Sequence, residues 1–154
     1  AGWYDVRDAA GDATPIWKRA DGELHRAEGR LWWLSGDWLK PPQPLVLLNA
    51  TLADSVELPG NGRVNLSGEL PQGHWHLRYR VGGESLQVPG RGRRDLKRLL
   101  NEMRVPPFVR SRLPLLFYGD ELMAVANLTQ APGIEASGVR LHWSPPIGEQ
   151  GLSW

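Results

Sequence analysis

Residues 89–100 read PGRGRRDLKRLL, four arginines and one lysine within a chain whose net charge is only +1. The chemistry open to such a set is electrostatic. A guanidinium is a planar fork that grips a phosphate through two parallel hydrogen bonds. Other chemistry is poorly provided for. The nucleotide-loop pattern GxxxxGK[ST] is absent, and GRG alone is a weak motif. VGGES at 81–85 lacks the leading Ser and the Asp of an SGGxDS loop, and it falls at a predicted turn. His74 and His76 share one strand face, but His25 and His142 are distant in sequence, so a metal site lacks further ligands. There is no cysteine, which excludes a disulfide framework, a Cys-type zinc site and a thiol nucleophile. No Ser-His-Asp set or carboxylate pair stands out, so no catalytic and no metal-binding residue is assigned.

The modest net charge hides an asymmetry. From Arg78 to Arg112 there are ten basic residues against Glu84, Asp95 and Glu102, a net of +7. The remainder carries eight basic and fourteen acidic residues, a net of −6. A basic segment in an acidic frame points to a polyanionic partner. The periodicity predicts a helix over about 93–103, with Leu96, Leu99, Leu100 and Met103 as its apolar stripe. Arg93, Lys97 and Arg104 fall on one flank, where no carboxylate stands at helical spacing. Arg98 lies three residues after Asp95 and four before Glu102, so it is expected to pair with one of them. Arg91, Arg93 and Arg94 crowd the predicted helix start, where cations oppose the macrodipole by about 0.3–1 kcal/mol each. A bound phosphate reverses that penalty.

The elements that must position these residues are mostly strands. IWKR and ELHRAEGRLWWL predict an antiparallel meander with turns at Gly22 and Gly29. PLVLLN reads as an apolar strand, and SVELPGNGRVNLSGEL as strand, turn, strand, with PGNG as the turn. HWHLRYRV alternates, with Trp75, Leu77, Tyr79 and Val81 inward and His74, His76, Arg78 and Arg80 outward. Gly82-Gly83 is the predicted turn from which SLQV runs back. Pro106 stops the helix, and Pro107 starts a short helical turn reaching Arg112. PLLFYGDELMAVAN reads as a hairpin turning at Gly119-Asp120, and GVRLHW as a last strand. The fold class is α+β: a small strand-rich domain with a mixed or antiparallel sheet and one main helix over 74–154, preceded by a β-rich segment over 1–73. No run approaches 18 consecutive apolar residues, so no membrane partner is expected. AGWYDVRDAA has no signal-peptide pattern, and the sequons at Asn49, Asn65 and Asn127 read as chance.

One segment is more specific. Residues 77–128 carry, in order, R-x-GGE at 80–84, GR then LK-x-LL at 96–100, E-x-x-VPP at 102–107, R-x-R-x-PLL at 110–116 and GDEL-x-AV at 119–125. This ordered set resembles the C-terminal domain of the bacterial tRNA(Ile)-lysidine synthase family, and ELHRAEGRLWWL resembles the end of that family's middle substrate-binding region. Phe108 stands where the family often has Trp, and Asn127 near a family Gly. The resemblance implies that this region grips tRNA, particularly the acceptor stem. An N-terminal ATP-pyrophosphatase domain, absent from this sequence, would use ATP and Mg²⁺ to adenylate the wobble cytidine of the minor isoleucine tRNA before lysine attacks. The chain then looks like a non-catalytic fragment of a cytoplasmic ligase, with no cofactor of its own. Its partners would be tRNA and the rest of its polypeptide, with self-association left open. The tRNA-binding residues expected are Arg78, Arg80, Arg91, Arg93, Arg94, Lys97, Arg104, Arg110 and Arg112. The alternative is a protein-interaction module using exposed aromatics, of which Trp38 and Trp154 are the expected examples.

Overall fold

The computed structural model describes residues 16–43, 55–146 and 149–150. The predicted strand PLVLLN and Trp154 lie outside these residues. The α+β class holds: antiparallel sheets are interspersed along the chain with short helices.

The first sheet is the expected meander, β1 (Ile16–Lys18), β2 (Glu23–Ala27) and β3 (Arg30–Leu34), with β13 (Glu149–Gln150) added beyond β3. Glu28 and Gly29 both have positive φ, 52° and 73°, and close β2 onto β3 with the twist that two-residue hairpins favour. β4 (Val56–Glu57) and β5 (Arg63–Ser67) form the hairpin signalled by PGNG. β12 (Arg140–Ser144) pairs along all of β5, from Arg140↔Ser67 to Ser144↔Arg63. The boundary expected between 73 and 74 is therefore spanned by a sheet. A single buried cluster also joins Leu34, Trp38 and Leu58 to Leu77, Leu100 and Trp143.

The third sheet runs β11 (Thr129–Gln130), β10 (Glu121–Val125), β9 (Leu115–Tyr118), β6 (Trp75–Arg78). Gly119, at φ 58°, turns β9 into β10 as predicted. β7 (Ser85–Val88) does not run back along β6. It pairs with β8 (Gly92–Asp95) around the Pro89–Arg91 turn, while β6 pairs with the distant β9. The reason lies in Glu84. Its carboxylate accepts hydrogen bonds from the N–H groups of Val81 (2.9 Å) and Gly82 (3.0 Å), so residues 81–84 form a self-capped loop and not a hairpin turn. The inward position predicted for Val81 fails for the same reason: it is 92% exposed. His76, expected outside, is buried and stacked on Phe117 (5.7 Å between ring centres).

The main helix is shorter than predicted. α1 spans Leu96–Glu102, because Arg93 and Arg94 are committed to β8 opposite Gln87 and Leu86. The Leu96 N–H bonds back to the Glu84 carbonyl (2.9 Å), which fixes where the helix begins. Leu96, Leu99 and Leu100 are buried as predicted, but Met103 lies past the last turn and is exposed. α2 (Pro107–Arg110) follows VPP as expected. α3 (Pro132–Ser137) has no counterpart among the predicted elements, although Pro132 opens it and Gly138 closes it at φ 77°.

Candidate nucleic-acid interface

The nine predicted cations do not form one surface. Arg112 is the clearest correction. It is only 3% exposed and makes no surface for a ligand. Its guanidinium donates to the carbonyls of Gly60 (3.0 Å), Asp37 (2.7 Å) and Lys40, and to Asn61 Oδ1 (3.3 Å), while lying 5.0 Å above the Trp38 ring. Asn61, fully buried, also donates to the Tyr79 hydroxyl (3.0 Å) and the Arg112 carbonyl (2.8 Å). Its own carbonyl accepts from Trp143 Nε1 (2.9 Å). Five donors in a rigid fork suit a junction of loop carbonyls, and that is what Arg112 satisfies. Burial pulls its pKa below the ordinary guanidinium value, opposed by Tyr79 and Asp37. Trp38, expected exposed, is buried in the same junction and donates to the Pro146 carbonyl (2.9 Å). The aromatic-docking alternative loses its best-placed residue.

Three more arginines are matched by acids that sequence spacing did not pair with them. Arg91 meets Glu102 (3.0 Å), Arg93 meets Glu121 (3.4 Å) and Arg78 meets Asp120 (3.5 Å). The first pair removes Glu102 from Arg98. Asp95, meanwhile, sits at the helix start with extended backbone (ψ 130°), so its three-residue spacing to Arg98 is not helical. Arg98 accordingly makes no ion pair among the described residues, contrary to expectation. Arg94, half-buried, turns back onto the Arg93 carbonyl (3.0 Å).

What remains is a carboxylate-poor strip on α1 and its exit. Lys97, Arg98 and Arg104 are exposed and make no ion pair among the described residues. Asn101 lies one turn from Lys97, and Arg110 reaches it from α2, donating from Nη1 to Asn101 Oδ1 (2.6 Å) and from Nε to the Val105 carbonyl (2.7 Å). Two fixed bonds hold the Arg110 fork in place. Burial and the Arg80 charge pull its pKa below the ordinary guanidinium value, and Glu28 partly offsets this. Arg80 is half-buried, and its Nε has no hydrogen-bond partner among the described residues. Arg104 ends the helix in the left-handed conformation at φ 55°, with its N–H on the Asn101 carbonyl and the Val105 N–H on the Leu100 carbonyl. This is a Schellman closure, and glycine is its usual occupant.

A sequence profile described as "TilS substrate C-terminal domain" matches residues 75–143. The tRNA(Ile)-lysidine synthase of Pseudomonas fluorescens is 57% identical over 155 residues, covering 99% of this chain and 34% of the relative. That of Pseudomonas putida is 56% identical over 154 residues, with 99% and 35% covered. A more distant relative of the same name, from Coxiella burnetii, is 31% identical over 153 residues. The chain belongs to the tRNA(Ile)-lysidine synthase family. It spans about a third of the length of the curated relatives it matches.

Within this family frame, the two departures noted in the sequence have local explanations. Phe108 packs edge-on against His25 (5.2 Å), Trp32 (5.8 Å) and Trp38 (6.0 Å), so an aromatic ring at this position joins an aromatic cluster. Asn127 has φ 67°, a conformation asparagine tolerates. Its side-chain amide pairs with the Trp143 backbone through both oxygen (2.8 Å) and nitrogen (2.9 Å), acting as a one-residue strand beside β12. The GGE of this synthase-family chain is likewise a structural device. Glu84 is spent on the loop backbone, a role that the adjacent glycines could have signalled.

Proposed function

We propose that this chain is the tRNA-gripping part of a lysidine-forming ligase, holding the acceptor stem of the minor isoleucine tRNA while chemistry proceeds elsewhere. The observation that carries the reading is the strip of Lys97, Arg98, Arg104 and Arg110, with no ion-paired carboxylate among the described residues. Duplex RNA is recognised through backbone and shape, for which a rigid basic helix flank is suited. Among the described residues no cluster of His, Asp or Glu fits a divalent ion, and VGGES is a self-capped loop. On this reading adenylation and lysine attack belong to the part of the relatives that this chain does not match, and the setting is the cytoplasm where tRNA is modified.

The test is the salt dependence of RNA binding. Each phosphate that the protein no longer neutralises lowers the log–log slope by about 0.7–0.9. K97E/R104E is expected to reduce the slope by about twice that amount, while R63E, altering an arginine already paired with Glu57, leaves it within error. An unchanged slope in K97E/R104E removes the strip from the interface.

A further inference from the structure

A second feature lies apart from the strip. Between the 81–84 loop and the β9–β10 hairpin opens a cleft of about 740 Å³, within the range of about 300–1,000 Å³ usual for small-ligand sites. Its floor includes Tyr118, 45% exposed although it stands on a strand of the core sheet. The ring is braced from behind. Trp75 meets it edge-on at 5.0 Å, and a methyl group at Gly73 (φ 151°) would collide with it. One wall is Val81, almost wholly solvent-exposed on a loop that the Glu84 carboxylate holds rigid. A braced, exposed aromatic ring and an exposed apolar side chain lining one cleft give a base a surface to stack on.

The polar lining sets what fits the cleft. Arg78 and Arg93 stand against Asp120 and Glu121 at 3.5 and 3.4 Å, all four groups being substantially exposed. Such pairs contribute little and exchange partners readily. With the acids present the cleft is not basic, so it does not suit a run of phosphates. It suits one phosphate for the arginines and a base edge that donates to carboxylates. Cytosine and adenine present an exocyclic amine, and a carboxylate accepts from that amine. Uracil presents carbonyl oxygens there and is repelled. We infer that the cleft takes one unpaired, amine-bearing nucleotide of the bound RNA, stacked on Tyr118 and in contact with Val81. The inference rests on the RNA-gripping reading, and its experiment separates the two.

Three RNA hairpins of one stem sequence are titrated against this chain by fluorescence anisotropy: blunt, with a short 3′ cytidine overhang, and with a 3′ uridine overhang. The blunt hairpin is expected to bind through the strip, the cytidine overhang to bind several-fold tighter, and the uridine overhang to gain less. Y118A is expected to remove this several-fold overhang gain while leaving blunt binding intact. V81S, at an almost fully exposed site that cannot disturb folding, reduces the same gain. D120A/E121A frees both arginines, so it should tighten binding of both overhangs and erase the preference for cytidine over uridine. Equal affinity for all three hairpins overturns the cleft and leaves the strip standing. Overhang binding without blunt binding overturns the strip and leaves the cleft. A gain that survives both Y118A and V81S, or a preference for uridine, overturns the inference, and failure of every hairpin to bind overturns both readings.

Discussion

Arg104 shows what a single residue can report. At φ 55° a side chain with a Cβ is strained by about 1–2 kcal/mol, and the Schellman position it fills ordinarily goes to glycine. An exposed arginine held there without an ion pair does nothing for the fold. R104G is therefore expected to raise stability by up to about 1 kcal/mol in urea unfolding while weakening RNA binding. Both changes in the same direction would count against a binding role. His76 offers a second residue-scale test. Burial first, and then the Arg78 charge, lower its pKa from the ordinary 6.5, with Asp120 opposing, and its Nε2 has no hydrogen-bond partner among the described residues. The unfolded chain takes up this proton first as pH falls. The stability that neutral His76 contributes is thus complete above about pH 6.5 and is lost as pH falls from there toward the depressed native value. H76F is expected to flatten this part of the stability–pH curve. A curve identical to wild type between pH 5 and 7 would refute the assignment.

At the scale of elements, the decisive unit is 81–102: capped loop, two-stranded ribbon and short helix. α1 has only seven residues, too few to persist alone, so its three buried leucines hold it. The β7–β8 ribbon and Glu84 determine where it starts. E84A leaves the N–H groups of Val81 and Gly82 without their acceptor, at a cost of about 1 kcal/mol. The check is faster amide exchange at Val81 and Gly82, with exchange in α1 little changed. Slow exchange at both amides in E84A would show that the cap does not order the loop.

Across the whole molecule, the segments before and after residue 73 share a sheet and a buried cluster. β12 takes its only described strand partner from β5, and Trp143 donates to the Asn61 carbonyl. Arg112 ties the 37–40 and 60–61 carbonyls to α2. A chain truncated to begin at residue 74 is expected to lose cooperative thermal unfolding, since β12 would lose its described strand partner and the cluster that Leu34, Trp38 and Leu58 share with Leu77, Leu100 and Trp143 would open to water. A sharp melt near that of the full chain would restore 74–154 as a self-sufficient domain.

By itself the sequence determined the meander, the PGNG and Gly119-Asp120 hairpins, the leucine stripe, the strand-rich class and the family resemblance. These rest on local period and turn chemistry, or on residues close in sequence. It also located the charge excess. Only the tertiary structure decided which cations are free. Arg91, Arg93 and Arg78 meet acids 11, 28 and 42 residues away, and Arg112 is consumed by loop carbonyls up to 75 residues away. Arg98 gave the opposite error, because its helical pairing with Asp95 assumed one turn of helix that the β8 pairing had already claimed. Sequence spacing is a good guide to partners only along one continuous element. A cation's partner across elements is set by the fold, and with it whether the charge stands free, is paired at the surface or is buried.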